Sequence, residues 1–281
     1  MDATAAAVPA PVAGWPAVVL RGLWKRFDQK VAVAGVDLDV PAGCFFGLVG
    51  PNGAGKTTSI RMMVGLLRPD GGRAWVEGHD VWEDPVSVKA RIGVLPDEAR
   101  LFERLTGAEL LDYCGLLRGM APEVVVARRD ELLDVLGLTA DSDTLVIDYS
   151  TGMRKKVALA SALLHGPRVL FLAEPFEAVD PVSTRVIRDV LERFTDGGGT
   201  VVFSSHVMEV VERLCDRVGV IHQGRIIAEG PTDELRAGRR LEDVFVDLVG
   251  ASTDEVHGLS WLGSSPPPPA SPPPPPPQPA P

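Results

Sequence analysis

Gly50-Pro51-Asn52-Gly53-Ala54-Gly55-Lys56-Thr57 is the stretch on which the reading of this chain turns. It fits the G-x-x-x-x-G-K-[ST] pattern at every fixed position. Cys44-Phe45-Phe46-Gly47-Leu48-Val49 before it is a short apolar run suited to a buried strand, and Thr57 to Leu67 after it reads as a helix. The glycines let the backbone curl until successive N–H groups point inward. The helix that follows adds its unpaired N-terminal donors. In such a loop Lys56 reaches the β- and γ-phosphates and Thr57 offers its hydroxyl to Mg²⁺. The expected ligand is therefore ATP or GTP.

Outward from the loop, short strands and helices alternate. Ala17–Leu23, Val36–Val40 and Arg73–Glu77 read as strands, and Pro69-Asp70-Gly71-Gly72 reads as the stop after the first helix. The segment 107–137 is helix-like. Leu110, Leu111, Cys114 and Leu117 fall on a helical period, Thr106 and Glu109 have capping-box spacing, and a second helix spans Glu123 to Leu136. Met153–Leu164 is a third helix and Val169–Ala173 a buried strand. Asp180-Pro181 supplies an N-cap and first-turn proline for a helix to Phe194. Thr200–Phe203 is a strand, a helix runs from His206 to Leu214, and strands at 218–222 and 225–228 join through Gln223-Gly224. This pattern is an α/β core carrying a helical insert near 98–165.

The ends differ from the core. Residues 1–16 are rich in Ala, Pro and Val and read as a flexible arm. Leu241, Val244, Phe245, Leu248 and Val249 space an amphipathic helix within a C-terminal extension, 241–263. Arg236, Arg239 and Arg240 beside it read as a solvated face. Twelve of the 18 residues from Ser264 to Pro281 are proline, too few backbone donors for a helix or internal strand. An extended, disordered tail is expected; a ligand for a proline-recognising module is the weaker alternative.

Composition excludes several classes. Lys plus Arg is 28 against 38 for Asp plus Glu, and the net charge of −10 argues against a nucleic-acid partner. Cys44, Cys114 and Cys215 are far apart, so neither a zinc site nor a disulfide scaffold is expected. No apolar run approaches the 18 or so residues of a membrane span. The Met-Asp start lacks the basic region of a signal peptide, which points to a reduced cytosolic compartment.

A second part of the site is expected on another strand. Val169-Leu170-Phe171-Leu172-Ala173-Glu174 is an apolar run ending in an acid, and Glu174 is placed to orient or deprotonate a water beside the γ-phosphate. Ala173 stands where a magnesium-supporting aspartate is expected. His206, after Ser204-Ser205, can reach the γ-phosphate side.

These residues, in this order, resemble an ATP-binding-cassette (ABC) ATPase, the nucleotide-binding subunit of an ABC transporter, over roughly 17–240. The resemblance implies a P-loop NTPase of the ABC ATPase fold, with a RecA-like core, an antiparallel β subdomain and an α-helical subdomain. It assigns Phe27 to adenine stacking. It makes residues 50–58 the Walker A loop, so that Gly50, Asn52, Gly53, Ala54, Gly55, Lys56, Thr57 and Thr58 bind the nucleotide. Tyr149-Ser150-Thr151-Gly152-Met153, followed by Arg154-Lys155-Lys156, matches the signature motif in a form like that of exporter cassettes. Ser150 and Gly152 would then bind ATP across a cassette pair. Glu174-Pro175 continues the Walker B region, Ala178-Val179-Asp180 matches the D-loop, and His206 the switch histidine. The loop Gly93–Asp97 puts Asp97 where the family usually carries glutamine, making it a second magnesium-side oxygen donor beside Thr57.

The resemblance implies ATP and Mg²⁺ as ligands, a homodimer or paired cassette, and a transmembrane permease on another polypeptide. It places the chain in the cytoplasm, peripheral to the inner face of the cell membrane. ATP hydrolysis driving export, with Glu174 and His206 catalytic, is the expected function. A regulatory or structural cassette that binds ATP with little hydrolysis is the alternative that Ala173 raises. A soluble cassette ATPase acting on nucleic acid or ribosomes fits less well, given one cassette and the acidic charge.

Overall fold

The computed structural model describes residues 15–97 and 100–249. The arm before residue 15, the extension beyond 249 and the proline-rich tail lie outside the described residues.

β1 (Val18–Phe27) and β2 (Lys30–Val40) form an antiparallel hairpin closing at Phe27 opposite Lys30. Both strands outrun the apolar stretches that announce them. Gly22 and Gly35, at φ 59° and 80°, sit where the ladder shifts register, and the bulges break the two-residue alternation. β3 (Phe45–Val49) leads into α1 (Lys56–Met63). That helix stops short of the expected Leu67. Gly65 turns the chain at φ 73°, and the Leu66 and Leu67 N–H groups donate back to the Arg61 carbonyl. β4 (Gly71–Val76) and β5 (His79–Asp80) complete a four-stranded antiparallel sheet ordered β2-β1-β4-β5.

α2 (Pro85–Arg91) and β6 (Ile92–Leu95) follow. The segment read as a loop at 93–97 is therefore a strand in its first part. Four residues including a glycine give little periodicity to detect. Gly93 is needed because a Cβ there would collide with the Ala162 carbonyl. α3 (Gly107–Leu117) begins with the predicted capping box, both halves present. Its apolar stripe is shorter than expected. Leu110 and Leu111 are buried, but Leu117 in the last turn is exposed. α4 (Pro122–Val135) and α5 (Thr151–Leu163) complete the helical group.

β7 (Val169–Ala173), α6 (Pro181–Asp196), β8 (Thr200–Ser205), α7 (Met208–Leu214), β9 (Arg217–His222), β10 (Arg225–Pro231), α8 (Thr232–Arg236) and α9 (Leu241–Val249) follow in order. His206 thus precedes α7 rather than opening it, in the turn after β8. The second sheet is ordered β10-β9-β3-β8-β7-β6, parallel except for β10. Both of its faces are covered. Phe45, Leu170, Leu172, Val201 and Phe203 pack toward α3–α6, while Phe46, Leu48, Val169, Phe171 and Val202 pack toward α1 and the first sheet. Each fully buried large side chain contributes about 1.5–3 kcal/mol. The result is a RecA-like α/β core, an antiparallel β subdomain and a helical subdomain. Because β3, β7 and β8 are parallel neighbours, the loops after Val49, Ala173 and Ser205 emerge at one edge, where α/β sheets place their ligands.

Candidate nucleotide site

The loop after β3 is held open by its own backbone. Gly53 and Gly55 have φ of 78° and 113°, which side-chain-bearing residues rarely adopt. A Cβ at Gly55 would stand 2.6 Å from the Ala32 carbonyl oxygen, and one at Gly50 would collide with that of Ile221. Gly50, packed against Ile221, and the buried Ala54 do not themselves line the cleft over this loop. Lys56 is buried, and its Nζ donates to the Gly50 carbonyl at 2.7 Å and to that of Pro51 at 3.3 Å. Burial lowers the Lys56 pKa, while Glu174 and Asp97 oppose that shift through their charge.

A cleft of about 390 Å³ opens over this loop. It brings together ten of the residues expected from sequence: Phe27, Asn52, Gly53, Gly55, Lys56, Thr57, Thr58, Asp97, Glu174 and His206. Phe27 is half exposed at the end of β1, with the Lys25 ammonium 5.7 Å from its ring centroid. Three further lining residues escape sequence reading, namely Lys30, Ala32 and Glu177. Lys30 lies just past the hairpin turn, and its Nζ is 3.8 Å from where a Gly53 Cβ would stand. Only the folding of β2 beside the loop brings it there; an isolated lysine in a turn carries no signal.

Glu174 follows β7 in the left-handed region, at φ 46°. That conformation costs a non-glycine residue about 1–3 kcal/mol and persists only where the surroundings fix it. Its N–H donates to the Ser204 carbonyl at 3.1 Å, and its carbonyl accepts from Lys155 Nζ at 2.6 Å. Its carboxylate lies 3.1 Å from His206 Nδ1. For that ring nitrogen to donate to a carboxylate it must carry the proton, leaving Nε2 free. Ala173 is buried and brings no oxygen to this edge.

Ser150 and Gly152 are not among the residues lining this cleft. Ser150 is exposed and caps α5, its Oγ accepting from Met153 N–H at 3.2 Å. Gly152 is buried against α6; a Cβ there would be 2.8 Å from both Asp180 Oδ2 and Ser183 Oγ.

The donor set fits a nucleotide triphosphate. The glycine cradle admits a phosphate only because no Cβ fills it, and Lys56, Lys30 and the α1 N-terminus supply positive potential. Thr57 and Asp97 are oxygen donors at the same edge, suited to a hard cation that keeps several waters. Among the described residues no group of three His, Cys, Asp or Glu makes a self-contained metal cage. No described helix is long and apolar enough to cross a membrane.

Comparison with known proteins points the same way. A family model described as ABC transporter matches residues 33–177. The chain is 43% identical over 221 residues to the daunorubicin/doxorubicin resistance ATP-binding protein DrrA of Streptomyces peucetius, covering 79% of this chain and 67% of that protein. It is 38% identical over 232 residues to the ABC transporter ATP-binding protein NatA of Bacillus subtilis, covering 81% and 94%. It is 36% identical over 252 residues to the fluoroquinolones export ATP-binding protein MT2762 of Mycobacterium tuberculosis, covering 89% and 82%. A solved ATP-binding subunit of an ABC transporter matches with a TM-score of 0.77 at 26% identity, over 82% of this chain and 98% of that one.

Proposed function

Since this chain belongs to the ABC transporter family, as one of its ATP-binding subunits, we propose that it hydrolyses ATP in the Lys56–Glu174 cleft to drive export through a separate membrane-spanning permease. One observation carries the hydrolytic part: the Glu174–His206 pair shares a cleft with Lys56.

Phe27 supplies an apolar face for the base of ATP, and the 50–57 amides and Lys56 take its phosphates. Thr57 and Asp97 would hold Mg²⁺, which when bound would neutralise phosphate charge. The Glu174 carboxylate, oriented by His206, accepts a proton from the attacking water. Lys56 and the loop amides stabilise charge on the phosphoryl oxygens, with donors already aimed before reaction. Water hydrolyses the terminal phosphoanhydride bond, and ADP and phosphate leave.

Ser150 and Gly152 belong to the same reaction through a second cassette, homologous or identical, whose own cleft they complete. Their position outside this chain's cleft supports that arrangement. The exporter-like signature and the resistance and export roles in the relatives' names support the outward direction. A peripheral position on the inner membrane face follows from the need to meet a permease.

Phosphate release from the purified full-length chain tests this. A steady rate abolished by Glu174→Gln supports it; saturable ATP binding without release, in the presence of the permease, overturns the hydrolytic part. Ala173 favours a second reading, an ATP-gated cassette that closes on nucleotide and scarcely turns over.

A further inference from the structure

Lys155 lies about one and a half turns beyond the N-cap of α5, on a half-buried face, and its ammonium donates to the Glu174 backbone carbonyl at 2.6 Å. That carbonyl belongs to a residue held at φ 46°, where an L-amino acid needs outside support. A charged donor gives a stronger bond than a neutral one, and it fixes the peptide plane that aims the Glu174 side chain at His206. We propose that Lys155 is a positioning residue for Glu174, tying the aim of the hydrolytic carboxylate to the placement of α5. The proposal rests on the reading of Glu174 as the base and deepens it.

Two further features agree. Burial lowers the Lys155 pKa, but Glu177, Asp97 and Glu174 act against that shift, so the ammonium lies in the field of three carboxylates. The same helix begins at Ser150, the residue assigned to a second cassette's nucleotide. A displacement of α5 by that contact therefore acts on Glu174 through a single side chain about one and a half helical turns away. A binding event at the neighbouring cleft thereby changes how well this one hydrolyses, through the tether from Lys155 Nζ to the Glu174 carbonyl.

The test uses the full-length chain and two substitutions. Lys155→Met keeps the aliphatic stem and removes the donors; Lys155→Arg keeps both charge and donors. With enzyme in excess over ATP, Lys155→Met is expected to hydrolyse about ten- to a hundredfold more slowly, the scale of a misplaced catalytic group. ATP affinity and Tm should stay at wild-type values, and Lys155→Arg should recover most of the rate. Hydrogen exchange of segment 174–179 should quicken in Lys155→Met and not in Lys155→Arg, a readout independent of turnover. Unchanged exchange and rate in Lys155→Met overturn the proposal. So does a loss of ATP affinity or Tm that matches the loss of rate, since that marks a merely structural lysine. Glu174→Gln separates the two readings. If it hydrolyses like wild type, the assignment of the base fails, while the exchange measurement still judges the tether.

Discussion

Ala173 and Ser204 are register partners on adjacent parallel strands, and the buried Ser204 hydroxyl has no hydrogen-bond partner among the described residues. Paired positions on parallel strands project to the same face. The methyl of Ala173 thus lies beside an orphaned hydroxyl at the end of β7 that leads into Glu174.

That vacancy of function predicts the outcome of Ala173→Asp. A carboxylate there gains Ser204 as a donor and adds an anionic oxygen at the strand end that leads into Glu174. Mg²⁺-dependent ATP binding should tighten, and phosphate release should rise, by about tenfold if the new oxygen is worth one charge-assisted hydrogen bond. A fall in both, with Tm intact, would show that Asp97 already fills the role and that two carboxylates repel.

His206→Ala removes the group that orients Glu174. Hydrolysis should drop by about 10²–10⁴-fold, the usual worth of a positioned acid–base group. ATP affinity, measured by equilibrium titration, should move little, because the phosphate cradle is built from Lys56 and loop amides. An equal loss in both would place His206 in binding instead.

Gly55→Ala attacks the cradle without touching any charge. The added methyl meets the Ala32 carbonyl at 2.6 Å, and the backbone stands at φ 113°. The loop must shift, so ATP binding should be lost while the sheet core keeps the chain folded by circular dichroism. Retained affinity would mean that the loop rearranges on binding.

His165 sets an acid limit to stability. Burial, with Arg118 the next contribution, pulls its pKa down from 6.5 to about 4. Nε2 donates to the Ile92 carbonyl at 2.9 Å, and Nδ1 is buried without a partner among the described residues. The unfolded chain then binds the extra proton between these values, so stability is complete above pH 6.5 and falls as pH drops toward 4, by about 3 kcal/mol at most. His165→Gln keeps a donor for Ile92 and should flatten this part of the Tm-against-pH curve. An unchanged slope would assign the acid sensitivity to carboxylates.

Much of this architecture is legible without coordinates, and the reasons are local. β3, β7 and β8 announce themselves because strands buried on both faces are continuous apolar runs. The Gly53–Thr57 turn is written in residue types that few other conformations require. What escapes is whatever tertiary packing assembles. Lys30 and Ala32 enter the cleft only because β2 folds against the loop at Gly55 and Gly224. Glu177 arrives through the reversal at Glu174, whose positive φ no sequence pattern marks. β6 is too short, and too interrupted by Gly93, to show a period. Lys155 reads as one of three consecutive basic residues after the signature motif until its bond to a backbone carbonyl is seen.

If, as proposed, Ser150 completes the cleft of a second copy, turnover is a property of encounters rather than of individual molecules. A dilution series of the purified chain should therefore show specific activity falling as protein becomes scarce, steeply below the dissociation constant of the pair. In a cell, crowding two copies onto one permease would raise output with no change in the chemistry of either.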